Sequence, residues 1–443
     1  MEFEPFLGTP EMKKFQLEGI KETLKQQYEA SAFWKERLDE AKVKPEDIKT
    51  WDDFRKRVPV SEVKDLFSRL VVMAEGDVPK AISLLIGRPY SDIVLMSSTS
   101  GTTGMPTPYP FTPEGLDLVM EWYARAGWRA GMRPGDRVLV AFGLSMFIAG
   151  VPMCYAVTKV GAMAIPAGAE AGSERILQYA KLFKANCLAC TPSLAEHLIE
   201  RAPEVIGDDV GSLGLKLVLC GGEPGAGVPE IKERIEEAYG CKLFDAGAGM
   251  GGSCDYPEYQ GMHWLMDDYA YCEVVDPETK EPLPFEDGVK GEGVMTTFGP
   301  AGFGGIRTSL NDIWEVFSSP CPCGKSGVRY KVGARLDDMM KVKGVMVYPS
   351  LIDGVISKFV PRTTGEFRIV LDAPLPRVEP PLNLKVEYGE GINESELEGL
   401  GKEIAERMHS KLKITPQIQW IPPRSLERAA MKKRFFEKRY EKS

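Results

Sequence analysis

Residues 136 to 168 read DRVLVAFGLSMFIAGVPMCYAVTKVGAMAIPAG. Within them, Val138 to Thr158 carries no charge and approaches the length needed to span a bilayer. Gly143, Gly150 and Pro152 interrupt the run, and it begins with a short β-rich segment. A buried strand, a turn and a buried helix are therefore expected in place of a membrane span. The pattern continues outward, because ANCLACT, LKLVLCGG and CKLFDAG follow as short apolar runs separated by helical segments. Such alternation predicts βαβ units in an α/β fold with a mostly parallel sheet, and ligands bound beyond the carboxyl ends of the strands.

A chain of 443 residues is too long for one ordinary core. The expected division is a large N-terminal domain, residues 1–336, and a small mobile α+β C-terminal domain, residues 337–443. Residues 11–42 read as one amphipathic helix, with Leu17, Ile20, Leu24 and Tyr28 at helical spacing. CEVVDPETKEPLP and GEGVMTTF look like antiparallel strands. Past a charged join near Leu336 come the strands FRIVLD and NLKVEYG, the helix ESELEGLGKEIAERMHSKL and the strand ITPQIQWIP.

The net charge of -9 gives no general footprint for nucleic acid or an acidic membrane, although the last residues are locally basic. The N-terminus has no basic segment followed by an apolar stretch, so a cytoplasmic location is expected. Cys154, Cys187 and Cys220 sit singly in apolar surroundings and read as small buried hydrophobes of a reducing compartment.

SSTSGTTGMPTPYPFT, Ser97 to Thr112, packs hydroxyls around Gly101 and Gly104 without the lysine of a Walker A loop. Hydroxyls and successive backbone N–H groups can wrap an anion unaided. A Ser/Thr/Gly-rich surface turn is the competing reading. SGTTGMPT resembles the phosphate loop of adenylate-forming enzymes of the phenylacetate-CoA ligase family, and the similarity runs over almost the whole chain. FGLSMFIAG, GAMAIPAG and ACTPSLAEHL resemble the acyl-pocket region, CGGEPG the turn beside adenine, and GARLDDMMKVKGVMVYPSLID the hinge.

The resemblance implies that a carboxylic acid attacks ATP to give an acyl-adenylate and pyrophosphate, and that coenzyme A then displaces AMP. By position, Ser100, Gly101, Thr102, Thr103 and Gly104 would contact phosphates. Gly222, Glu223 and Pro224 would line one wall of the adenine pocket, and Asp245, Ala246 and Gly247 the other. Asp312 would accept the ribose hydroxyls, Arg335 would sit near ribose and phosphate, and Asp337 would be the hinge. PPRSLERAAMKKRF places Lys432 where a lysine closes over the carboxylate and α-phosphate, with Lys433 beside it and solvated tail charge as the alternative. Mg²⁺ is the implied metal of the nucleotide. The acid is expected in a pocket from Phe142 to Gly150 and Ala167 to Ala169, a region that could equally be core. A homodimer is left open.

Two motifs depart from the family. The adenine-side motif normally runs aspartate, apolar, tyrosine, glycine, two residues, glutamate, whereas DAGAGMGG puts Gly247 for the tyrosine and Gly251 for the Mg²⁺-holding glutamate. IRTSLND replaces an arginine-tyrosine-arginine-threonine pattern before Asp312, leaving Ser309 and Leu310 in polar positions. The departures admit a degenerate nucleotide-binding homologue, or an adenylate former that uses another acceptor. Cys254 and His263 stand where members of the family often show a cysteine and a histidine, and with Cys321 and Cys323 they would make a Cys₃His set, the ligand count of a closed structural Zn²⁺ site, against unmetallated thiols.

Overall fold

The computed structural model describes residues 8–98, 108–247, 250–298, 305–343, 345–428 and 433–441. The stretch 136–168 folds as strand β1 (Arg137–Val140), a loop, a helix (Val151–Val160) and strand β2 (Met163–Pro166). Pro152 lies in the helix's first turn, where its missing N–H costs nothing, and Gly161 ends it at φ 85°. Among the described residues no helix is long and apolar enough to cross a membrane.

Strands β3 (Cys187–Cys190), β4 (Leu217–Cys220) and β5 (Lys242–Asp245) join them in a parallel sheet of order β2-β1-β3-β4-β5. Alternate side chains serve opposite faces. Val138, Val140, Cys187, Ala189, Leu217 and Leu219 enter one core, while Leu139, Leu188, Cys190 and Val218 enter another. Burial on both faces is why these strands read as continuous apolar runs. The order reverses beside β1, and in such sheets that switch point opens a crevice at the carboxyl ends.

A second sheet follows from β6 (Gly251–Ser253), β7 (Met262–Trp264), β8 (Ala270–Val275), β9 (Lys290–Thr297), β10 (Thr308–Phe317) and β11 (Arg329–Arg335). Its order is β8-β9-β10-β11-β7-β6, with antiparallel pairing throughout and a short strand, Ser61–Glu62, added parallel to β10. Short connections favour hairpins here, whereas the first sheet has helical crossovers. Trp314 and Tyr330 stack at 4.1 Å in its core. Buried Arg307 reaches Glu273 at 2.8 Å, and Arg55 meets the same carboxylate at 3.2 Å, pinning the N-terminal helices to this sheet.

The single helix expected over residues 11–42 is two, Pro10–Ala30 and Ala32–Glu40. Ser31 leaves the helical region at φ -107°, ψ 112°, and its hydroxyl caps Trp34 N–H while bonding the Leu84 carbonyl at 2.8 Å. A serine that can satisfy backbone groups this way competes with the helix it interrupts.

The small C-terminal unit has its own core, from Met340 to Ile414. Strands β12 (Thr363–Leu371), β13 (Leu382–Tyr388), β14 (Pro416–Ile421) and β15 (Phe436–Lys438) form a sheet of order β14-β13-β12-β15. Helices Pro349–Ile356 and Glu394–Leu412 complete it.

Candidate active site

Five of the loops expected to bind substrate leave the carboxyl ends of the parallel strands. Phe142–Gly150 follows β1, Ala167–Ala169 follows β2, Thr191–Ser193 follows β3, Gly221–Pro224 follows β4 and Ala246–Gly247 follows β5. The first is a built loop. Glu170 accepts the N–H groups of Leu144 at 3.1 Å and Ser145 at 3.0 Å, and Met146 O takes Ser98 N–H at 2.7 Å. A side chain at Gly150 would place its Cβ 2.1 Å from the Gly143 oxygen, so closure of this loop requires glycine. Phe142 is core, with Phe147 at 6.3 Å, and Met146 is half exposed.

Thr191 caps the helix Pro192–Ile206, and the Ser193 N–H donates to Glu223 Oε1 at 2.7 Å. Gly222 turns the chain at φ 85°, a conformation that favours glycine. Asp245 ends β5 with its N–H on Ser253 Oγ at 2.7 Å and its carboxylate under the Tyr259 hydroxyl at 2.9 Å. Burial outweighs that hydrogen bond and raises the Asp245 carboxyl from 3.8 to about 6.

Because the folded value lies above the unfolded one, Asp245 favours the fold fully below about pH 4, and this contribution is lost as pH rises through about 6. The difference corresponds to roughly 3 kcal/mol. Asp245→Asn keeps an oxygen for Tyr259 and is expected to be more stable than the parent at alkaline pH, with a flatter stability profile between the two values. Urea unfolding across that range checks it, and an unchanged profile contradicts it.

The two departures at Gly247 and Gly251 have a physical reason. Met262 occupies the space beside Gly247, where an added Cβ would sit 2.7 Å from Met262 Cε, and Gly247 N–H points at Met262 Sδ. Tyr330 occupies the space beside Gly251, where a Cβ would lie 2.6 Å from its hydroxyl oxygen. That hydroxyl donates to Gly247 O at 3.2 Å. The positions are therefore glycine because two neighbours from β7 and β11 fill them. Ser309 likewise has a local use: its hydroxyl bonds buried Glu292, which Lys280 neutralises at 2.6 Å.

Asp312 and Arg335 are register partners on β10 and β11, with Arg335 Nη1 3.4 Å from Asp312 Oδ1. Asp337 lies in the turn Leu336–Asp338 and takes a hydrogen bond from the Asn311 amide. Ser100, Gly101, Thr102, Thr103, Gly104 and Lys432 lie outside the described residues. Sequence reasoning missed how firmly Lys433 is held: its ammonium meets Asp353 at 2.6 Å and Gly365 O at 2.7 Å, while its N–H donates to Glu223 Oε2 at 3.1 Å. A basic run looks solvated until the fold brings in an aspartate eighty residues away.

Cys254, His263, Cys321 and Cys323 converge, with their ligand atoms all within 4.8 Å of one another. Cys254 and Cys321 sulfurs are 3.8 Å apart, and Cys323 Sγ is 3.4 Å from His263 Nε2. His263 Nδ1 faces Ser326 O at 3.0 Å, which leaves Nε2 directed at the thiols. Burial, then the charge of Arg129, lowers the imidazole to about 4, so the ring is neutral, the form that binds a metal. Three sulfurs and one ring nitrogen around a common centre fit a tetrahedral Zn²⁺.

Residues 34–305 match the family model for AMP-binding enzyme, and residues 344–439 that for AMP-binding enzyme C-terminal domain. A phenylacetate-coenzyme A ligase of Thermus thermophilus is 28% identical over 447 residues, with 96% of each chain covered. The crystal structure of a 2-hydroxyisobutyryl-CoA ligase in the postadenylation state with 2-HIB-AMP superposes with TM-score 0.88 at 28% identity, covering 98% of this chain and 91% of that one. The same ligase with 2-HIB-AMP and CoA in the thioesterification state superposes with TM-score 0.67 at 29% identity, again covering 98% and 91%.

Proposed function

The chain belongs to the family of AMP-binding enzymes, and from that membership we propose that it is an AMP-forming acid–coenzyme A ligase of the phenylacetate-CoA ligase kind. A small or aromatic carboxylic acid attacks the α-phosphorus of ATP; the α–β phosphoanhydride bond breaks, and acyl-AMP and pyrophosphate result. The thiol of coenzyme A then attacks the acyl carbon and AMP leaves. The observation that carries this reading is that five loops leave the one carboxyl end of the parallel sheet, where such sheets bind ligands, with the Asp312–Arg335 pair before the small C-terminal unit.

In this reading Ser100 to Gly104 hold the departing phosphates. Gly222, Glu223 and Pro224 flank adenine opposite Asp245, Ala246 and Gly247. Asp312 accepts the ribose hydroxyls, an acceptor suited to a vicinal diol. Arg335 stands at the ribose and phosphate, and Lys432 meets the carboxylate and α-phosphate. Mg²⁺ would neutralise the phosphates, held by their oxygens and by water, because position 251 offers no carboxylate. Residues 1–336 and 337–443 act as two bodies that swivel at Asp337. The separate C-terminal core and the unequal fit to two states of one ligase support this. The cytoplasm is its proposed place.

Cys254, His263, Cys321 and Cys323 would hold a structural Zn²⁺, closed to substrate and joining the β6–β7 hairpin to the β10–β11 connection.

A second reading draws on Met262 and Tyr330, which fill the places of the family's tyrosine and glutamate. It is a nucleotide-binding homologue, or an adenylate former with another acceptor. A pyrophosphate-release screen over aryl, branched and hydroxy acids, with and without coenzyme A, separates them. The ligase reading expects release that needs both ATP and acid, and thioester in equal amount when coenzyme A is present. Pyrophosphate without thioester means another acceptor. A melting shift with ATP but no pyrophosphate means a binding protein.

A further inference from the structure

Two buried ion pairs grip the C-terminal tail, one on each side of residues 429–432. Upstream, the Arg428 guanidinium meets the fully buried Glu387 at 2.8 Å, and the same carboxylate takes the Leu426 N–H at 2.8 Å. Downstream, Lys433 and Asp353 are each 7% exposed and 2.6 Å apart. The Lys433 ammonium also donates to Gly365 O at 2.7 Å and lies 5.2 Å from the Phe367 ring centroid. Immediately beyond, β15 pairs with β12, Ile369 opposite Phe436. These contacts stay within the small unit.

The tail also reaches across to the large unit. The Glu223 carboxylate spends Oε1 on Ser193 N–H at 2.7 Å and Oε2 on Lys433 N–H at 3.1 Å. It thereby ties the start of the helix Pro192–Ile206 to the tail, in the arrangement that resembles a postadenylation state. Arg428 also faces Glu200 of that helix at 3.8 Å.

Resting on the two-step ligase reading above, we infer that Lys433 is a positioning residue for adenylation: with Asp353 it fixes the tail, and through its N–H on Glu223 it sets where that tail meets the nucleotide crevice. Its ammonium has two oxygen partners inside the small unit and little exposure, so it does not itself meet the phosphate. A buried pair of this kind contributes little net stability but holds one geometry, since either partner alone would be an uncompensated buried charge. Misplacement of a reacting group by about 1 Å costs on the order of 10²-fold in rate.

The test uses the full chain and two variants, Lys433→Met and the double variant Lys433→Met/Asp353→Asn, which leaves no lone carboxylate. Single-turnover acyl-adenylate formation is measured beside thioester formation from supplied acyl-adenylate. The expected result for the folded double variant is adenylation slowed about 10- to 100-fold, with the second step within about twofold of the parent. Equal slowing of both steps, or parental adenylation in a double variant with parental melting temperature, overturns the inference. Should the parent make no adenylate from any acid, the ligase reading fails separately. Amide exchange then decides: faster exchange at residues 433–435 of the double variant supports the anchor, and unchanged exchange overturns it.

Discussion

Lys432→Ala is expected to form acyl-adenylate about 10²- to 10³-fold more slowly than the parent, the cost of deleting one preorganised donor from developing phosphate charge. The proposed phosphate loop, Ser100 to Gly104, has no lysine, so in this reading a cation reaches the α-phosphate from elsewhere. The basic tail offers several, and among the described residues four have carboxylate partners. Lys433 is taken by Asp353, Arg434 by Glu427, Lys438 by Glu441 and Arg439 by Asp372. Lys432 is the position to which the family resemblance assigns the chemistry. Single-turnover quench experiments with radiolabelled ATP measure the rate, and a parental rate in the variant removes Lys432 from the mechanism. If the two units swivel at Asp337 between the steps, the tail leaves the phosphate before coenzyme A attacks, and the sensitivity is then confined to the first step.

The double variant Cys321→Ser/Cys323→Ser is expected to lose one zinc per chain and on the order of 5 kcal/mol of stability, part of the roughly 10–16 kcal/mol that structural zinc supplies to small domains. The four ligands come from three separate stretches, so the ion would close long loops that hydrogen bonds alone hold weakly. Two of those stretches border β6, which begins at Gly251 beside the nucleotide crevice. Loss of metal should therefore raise the KM for ATP before it lowers kcat. Elemental analysis with thermal melts checks the claim; a parent without stoichiometric zinc, or a variant melting with the parent, contradicts it.

Much of this architecture was legible in the chain. Val138 to Thr158 declared a buried strand and helix through Gly143, Gly150 and Pro152, and five apolar runs became the five parallel strands. Glycine and proline positions are set by backbone sterics, which sequence reports directly. The Cys₃His cluster was legible through the family resemblance, which singles out Cys254 and His263, and through the close spacing of Cys321 and Cys323. Ser31 was not, because its hydroxyl partner Leu84 is distant and only the fold brings it near. Nor could Gly247 and Gly251 be explained from the sequence: their cause is the volume of Met262 and Tyr330, which arrive through strand pairing. The Glu223 bridge also depends on how two units meet.

The central claim is that one crevice joins a carboxylic acid to AMP and passes the acyl group to a thiol. Incubation of the purified chain with ATP, coenzyme A and a panel of acids, followed by mass spectrometry, tests it most directly. The account predicts AMP, pyrophosphate and an acyl-CoA thioester in equal amounts for at least one acid of the panel. ATP hydrolysed to ADP and phosphate, or AMP released with no acyl product on any acceptor, would contradict it.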